Sequence, residues 1–183
     1  KHAQIKIHAL YDFTGNSFSF LNVHNYTDSD QRLSGNIFAY LNPGDLVLRD
    51  LGFQNLTIQK KLIQKGIYFV SKKSPAVKVF DIKTGQQIHL LKYLKRKECF
   101  DGPVWVGSKE KIKMRMVIMP VSKEAAAQRR RKAKKNQKLR FTYSKEYYGL
   151  LGYSILLTNI SEETCSRQEV GKLYGLRWRI ETI

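Results

Sequence analysis

The sequence predicts an α/β fold in which a mixed sheet is flanked by helices and carries a β-rich insertion, and three observations lead there. An alternating hairpin opens the chain, an unbroken apolar strand leads into a helix and a further strand, and a capped helix follows a long β-rich interval. With 183 residues the chain suffices for one well-buried domain, or one domain with a smaller insertion. Two separate large domains are not expected.

Each element has its own local warrant. Ile5, Ile7, Ala9 and Tyr11 alternate with Gln4, Lys6 and His8, the turn residues Thr14-Gly15-Asn16 follow, and Phe18, Phe20, Leu21 and Val23 lie in a second run. That pattern predicts an antiparallel hairpin with His8 on its polar face. Residues 33–41 are expected to be helical and to stop at Asn42-Pro43-Gly44. Leu46-Val47-Leu48 is a continuous apolar run that suits a strand buried on both faces, and it leads to Asp50. Residues 56–65 have helical spacing closed by Gly66, and 67–71 form the next strand.

From about Lys72 the texture turns β-rich, with strands expected over 76–82, 88–94, 104–107 and 112–121, and again over 152–160. Ser166 with Glu169 three residues on is a capping box that starts the last helix. On that helix Leu173, Leu176, Ile180 and Ile183 make an apolar stripe, and at about 100° per residue Tyr174, Arg177 and Glu181 share a sector of roughly 60° beside it. The expected organisation is a core in two parts, 1–72 and 161–183, with a β-rich insertion over 73–160 that contains a basic segment over 122–140.

Charge narrows the partner. The chain holds 33 Lys+Arg against 15 Asp+Glu, a formal net charge of +18, which favours phosphate polymers. Within 122–140 there are nine Lys or Arg and one acid, Glu124. Arg129, Arg130, Arg131, Lys132, Lys134 and Lys135 are the candidate DNA-backbone contacts there, and a solvated basic helix with no apolar stripe is the blander reading. No apolar run approaches the ~18 residues of a membrane span, and the N-terminus lacks a signal-peptide layout, so a soluble intracellular protein without membrane contact is expected. Cys99 and Cys165 have neither disulfide-framework nor zinc spacing, and the four histidines show no ligand pattern. The phosphate-loop, dinucleotide and serine-hydrolase motifs do not occur. The first residue is not Met and no cap signal ends the last helix, which suggests a fragment of a longer protein.

Phosphodiester chemistry with two divalent ions needs carboxylates gathered from separate elements. Asp50 stands where an α/β strand ends, a usual place for ligand sites, although an aspartate there also caps turns. Glu181 is the second candidate, with pairing to Arg177 as its ordinary alternative. Arg177 has the fork to hold a phosphate, while Tyr174 and Trp178 offer rings to an exposed base; core packing is the commoner fate of such a tryptophan.

The segment YGLRWRIE, with Tyr174, Arg177 and Glu181, resembles the signature helix of bacterial insertion-sequence-4 family DDE transposases. DLVLRDLGF is similar to that family's second-aspartate motif, and SILLTNI to the strand ahead of the signature helix. The resemblance implies an RNase H-like fold, catalytic and metal-binding roles for Asp50 and Glu181, and Mg²⁺ or Mn²⁺ as cofactor. It implies DNA cleavage at transposon ends and transfer to target DNA, with self-association on DNA, in a bacterial cytoplasm and associated with the nucleoid. It also places the first aspartate upstream of the hairpin and a lysine beyond the glutamate, so this fragment is expected to be inactive by itself. A non-enzymatic or decayed nucleic-acid-binding module and an RNase H-like nuclease of another purpose are the alternatives.

Overall fold

The structure, a computed structural model, describes residues 4–136 and 143–181, the last of these by its backbone alone. Strands β1 (Ile5–Asp12) and β2 (Ser17–Asn25) form the expected hairpin, with Asn16 at φ 50° completing its turn. Where a single helix was expected over 33–41, the chain forms a short helix that ends at its start, α1 (Asp30–Leu33), and a 3₁₀ turn over Asn36–Ala39. Ser34, Gly35 and Asn36 explain the break, since all three favour turns over helix interiors. Strand β3 (Leu46–Arg49), helix α2 (Leu56–Gln64) and strand β4 (Tyr68–Lys72) follow as a right-to-read βαβ unit, with β3 and β4 parallel. Asn55 caps α2 by accepting from the Ile58 amide, and Gly66 at φ 66° turns the chain out of it.

Strand β5 (Val79–Asp81) is shorter than expected, and residues 88–94 hold a helix, α3 (Leu90–Leu94), where a strand was predicted. Leu90 and Leu94, one helical turn apart, are both buried, and that i, i+4 pair outweighs the run's apolar density. Strands β6 (Phe100–Val106) and β7 (Ile112–Pro120) precede the basic helix α4 (Lys123–Lys135), a short helix α5 (Lys145–Leu150), strand β8 (Tyr153–Thr158) and helix α6 (Arg167–Leu176). The chain then tightens to 3₁₀ winding over Arg177–Glu181.

Six strands make one sheet in the order β3-β4-β8-β7-β6-β5, all neighbours antiparallel except β3 and β4. The β-rich interval therefore extends the same sheet that β3 and β4 begin, giving the mixed sheet flanked by helices that the sequence predicts. One face carries the larger core, where Val47, Phe69, Met116 and Leu157 meet Leu62 of α2 and Leu90 and Leu94 of α3. The opposite face carries a smaller core in which Val70, Val117 and Leu156 lie under Val170 and Tyr174 of α6. Side chains alternate along each strand, so Leu48, Asp50, Val70 and Lys72 share the α6 side.

The hairpin docks by the face that was expected to be polar. His8 is 4% exposed and stacks on Phe53 at 5.3 Å between ring centroids, while Ile5 and Ile7 are 66% and 59% exposed. Period-two alternation defines two faces without saying which one meets the core, and here the aromatic contacts of His8 and Phe20 decide.

Candidate active site

Asp50 follows β3 and precedes a 3₁₀ turn over Leu51–Phe53, yet its side chain makes no capping hydrogen bond to that turn. Its carboxylate is half exposed and faces α6. The Tyr174 hydroxyl stands 3.5 Å from its Oδ1, and Arg177 Nε is 3.8 Å from the same oxygen. Oδ2 accepts no hydrogen bond among the described residues. Sequence positions 124 residues apart are thus joined by the packing of α6 across β3 and β4.

The local reasons are legible in α6. Ser166 and Glu169 form the full reciprocal capping box, which fixes where the helix begins. Val170 and Tyr174, one turn apart, are the residues it buries. Tyr174 is 7% exposed, so its ring belongs to the core and only its hydroxyl reaches Asp50. Burial and the neighbouring Asp50 push that phenol up to about 12. Arg177 lies mostly buried, its guanidinium 4.2 Å from the ring centroid of Trp178, which is itself 56% exposed. Trp178 offers the open aromatic face in this pair, against the core packing that was its ordinary alternative. Glu181 is the last residue of the 3₁₀ winding over Arg177–Glu181, and its side chain is outside the described atoms.

Lys72 escaped sequence reasoning. Arg49 pairs with Ser71 in the parallel register, so the next residues, Asp50 and Lys72, lie side by side at the strand ends on the α6 face. Burial and nearby Arg129 lower the Lys72 ammonium's pKa, Asp50 acts against them, and Arg177 lowers it again. Its signal was register, which no local motif contains.

The basic helix divides in two. Arg129 Nη1 donates to the Tyr153 carbonyl at 3.0 Å and Arg130 Nε to the Tyr148 carbonyl at 3.3 Å, fastening α4 to α5 and β8. Arg131, Lys132, Lys134 and Lys135 are exposed. Ala126 and Ala133, two turns apart and 6% and 8% exposed, form the packing stripe that the sequence reading did not find. Residues 137–140 of the basic segment lie outside the described residues.

A divalent cation of the magnesium kind takes hard oxygen ligands. The half-exposed carboxylate of Asp50 fits that need, whereas no group of three His, Cys, Asp or Glu side chains gathers among the described residues. Beside Asp50 runs a cavity of about 480 Å³, lined by Ala9 and Tyr11 of β1, Leu46 and Leu48 of β3, and Leu176 and Ile180. It separates the hairpin from β3, and β3 pairs on its other side with β4. No helix among the described residues is long and apolar enough to cross a membrane.

The model of the transposase DDE domain matches residues 1–183. The chain is 28% identical over 201 residues to the transposase for insertion sequence element IS231D of Bacillus thuringiensis subsp. finitimus, covering 99% of the chain and 42% of that relative. It is 27% identical to the IS231B transposase of Bacillus thuringiensis subsp. berliner and 25% identical to the IS1151 transposase of Clostridium perfringens, with the same two coverages. The chain thus spans 42% of the length of these curated relatives. Matched from end to end, and folded as a mixed sheet with an aspartate at a strand end beneath its closing helix, the chain belongs to the transposase DDE domain family.

Proposed function

We propose that the protein is a DNA transposase that cuts at transposon ends and joins them to target DNA, with Asp50 and Glu181 as catalytic carboxylates. The observation that carries this reading is the state of Asp50. It caps nothing, keeps one oxygen clear of hydrogen bonds among the described residues, and is met by a phenol and a guanidinium from the segment that runs on to Glu181.

Asp50 and Glu181 would hold Mg²⁺ or Mn²⁺ together with a further aspartate. When bound, such ions supply Lewis acidity at phosphorus and acidify the attacking water or 3′-hydroxyl. The cavity between β1 and β3 supports a place for the further aspartate, since a strand seated there would pair with the free side of β3 and carry a carboxylate to Asp50. Arg177 orients Asp50 Oδ1 and is placed to meet a phosphate oxygen, and Tyr174, held neutral, donates its proton without giving it up. Trp178 presents a ring to an unstacked base, and the exposed cations of α4 follow the DNA backbone. Work on two transposon ends implies two copies assembled on DNA, and the bacterial nucleoid is the proposed place of action.

The experiment is divalent-dependent cleavage of transposon-end DNA by the full-length protein. Asp50→Asn and Glu181→Gln should each abolish cleavage while DNA binding persists. Cleavage that survives both substitutions would remove the carboxylates from the mechanism.

A further inference from the structure

We infer that Arg115 is a positioning residue that sets the placement of α6, and through it of Tyr174 and Arg177, over Asp50. This inference rests on the transposase reading for its catalytic consequence, while its structural half stands alone.

Arg115 lies on β7, 8% exposed, on the sheet face that α6 covers. Nε and Nη2 donate to the two oxygens of Asp101 on β6 at 2.7 and 2.8 Å, a two-pronged pair whose members are both about nine-tenths buried. Asp101 holds the guanidinium flat, and its hydrogen bonds raise the Arg115 pKa, so the group stays charged. The remaining corner, Nη1, reaches three carbonyls in the connection from β8 to α6: Cys165 at 2.6 Å, Ser161 at 2.9 Å and Ile160 at 3.3 Å. Cys165 immediately precedes Ser166, the residue that caps α6.

The geometry therefore nails the first end of α6 to the middle of the sheet, and the contact with Asp50 occurs at the other end. Tyr174 is nine residues past Cys165, or about 13 Å along a helix axis. A small angular slip at the anchor becomes a displacement of order 1 Å at Tyr174 and Arg177, a scale that can cost about a hundredfold in rate. The core beneath α6 is the smaller of the two, and at that first end Arg167 Nη1 also donates to Cys99 Sγ at 2.8 Å. Where α6 comes nearest the sheet, Gly171 leaves room for Met119: a Cβ on Gly171 would stand 2.8 Å from Met119 Cε. A single methyl group there would make the end of the Met119 side chain shift.

Lysine keeps the charge at position 115 but has no planar fork, so it cannot hold Asp101 and the carbonyls together. The test compares Arg115→Lys and Asp101→Asn, in the full-length protein, with Val79→Ala on β5, which lies in the core of the opposite face. Arg115→Lys should speed amide exchange across 166–176 by about tenfold or more with little change in β6 and β7, whereas Val79→Ala should leave 166–176 protected. In cleavage assays Arg115→Lys should lower kcat by about tenfold or more with KM for end DNA within about twofold, beyond any loss in a Val79→Ala protein of matched thermal midpoint. Asp101→Asn, which retains an acceptor and the fork, should fall between them. Unchanged exchange over 166–176 in Arg115→Lys overturns the anchor itself. Faster exchange with normal kcat overturns the positioning role, and faster exchange with an unaltered protein that cleaves nothing overturns the transposase reading while keeping the anchor.

Discussion

The hydroxyl of Tyr174 and the carboxylate of Asp50 meet at 3.5 Å although 124 residues separate them. A buried phenol and a half-exposed carboxylate share one oxygen with Arg177, so the arrangement has a pH signature. In the unfolded chain the phenol ionises near pH 10, and in the fold at about 12. The fold favours the neutral form, so this stabilisation is complete below about pH 10 and declines as pH rises toward 12, by up to roughly 2–3 kcal/mol. Urea midpoints of the unaltered protein should therefore fall more steeply between about pH 10 and 12 than those of Tyr174→Phe. Parallel curves would show that the phenol is not held neutral.

Lys72 is placed where stability and function pull apart. Its ammonium is partly buried beside Arg129 and Arg177, and the Asp50 carboxylate acts against them. Lys72→Met should keep or raise the thermal midpoint, because a desolvated cation in a cationic neighbourhood is removed. The same change should weaken binding to duplex DNA and reduce the salt slope, in log K against log salt, by about 0.9. An unchanged slope places Lys72 outside the DNA path.

Helix α4 should answer to mutation in two different ways. Replacing Arg131, Lys132, Lys134 and Lys135 together with glutamine leaves its packing stripe of Ala126 and Ala133 intact, so melting should hardly move. The salt slope should fall by up to about 3 to 4. Arg129→Ala, by contrast, takes the donor from the Tyr153 carbonyl and should cost about 1–3 kcal/mol of stability, read from denaturant unfolding. If the four exposed cations alter melting and Arg129 does not, their assignments are reversed.

Gly107 marks the exit of β6. It sits at φ +98°, and a Cβ there would stand 2.7 Å from the Glu110 carbonyl oxygen and 2.9 Å from Leu56 Cδ1. Gly107→Ala should cost about 1–3 kcal/mol by combining strain and overlap. Denaturant unfolding at constant m-value is the check, and a loss below about 0.5 kcal/mol would contradict it.

What could be read in the sequence was whatever short-range periodicity encodes. The hairpin, β3, α2 and the capping box of α6 lie within their own few residues and are found along the chain where their patterns put them, although β3, expected as a central strand buried on both faces, forms the edge of the sheet and leaves Leu46 37% exposed. The failures share a cause too. Which face of the hairpin meets the core depends on His8 finding Phe53, a partner 45 positions away. Leu90 and Leu94 fit a short helix as well as a strand until burial arbitrates, and alanines at 126 and 133 are too small to read as a stripe. For the site, Asp50 was picked out by its place at a strand end and Tyr174 and Arg177 by a shared helix face, and the family resemblance added the catalytic role of Asp50. Lys72 and Arg115 were missed, since one is defined by strand register and the other by three carbonyls some 45 to 50 residues on.

The change of winding at Arg177 gives the closing turn a screw-like character. Four residues of 3₁₀ helix advance about 480° and 8 Å, whereas four of α-helix advance about 400° and 6 Å. Between Arg177, fixed against Asp50, and position 181, the two windings thus differ by about 80° in bearing and about 2 Å in height. A turn that relaxes into regular pitch would re-aim the backbone at position 181 while Arg177 stays still, so the bearing of that position is set by backbone pitch.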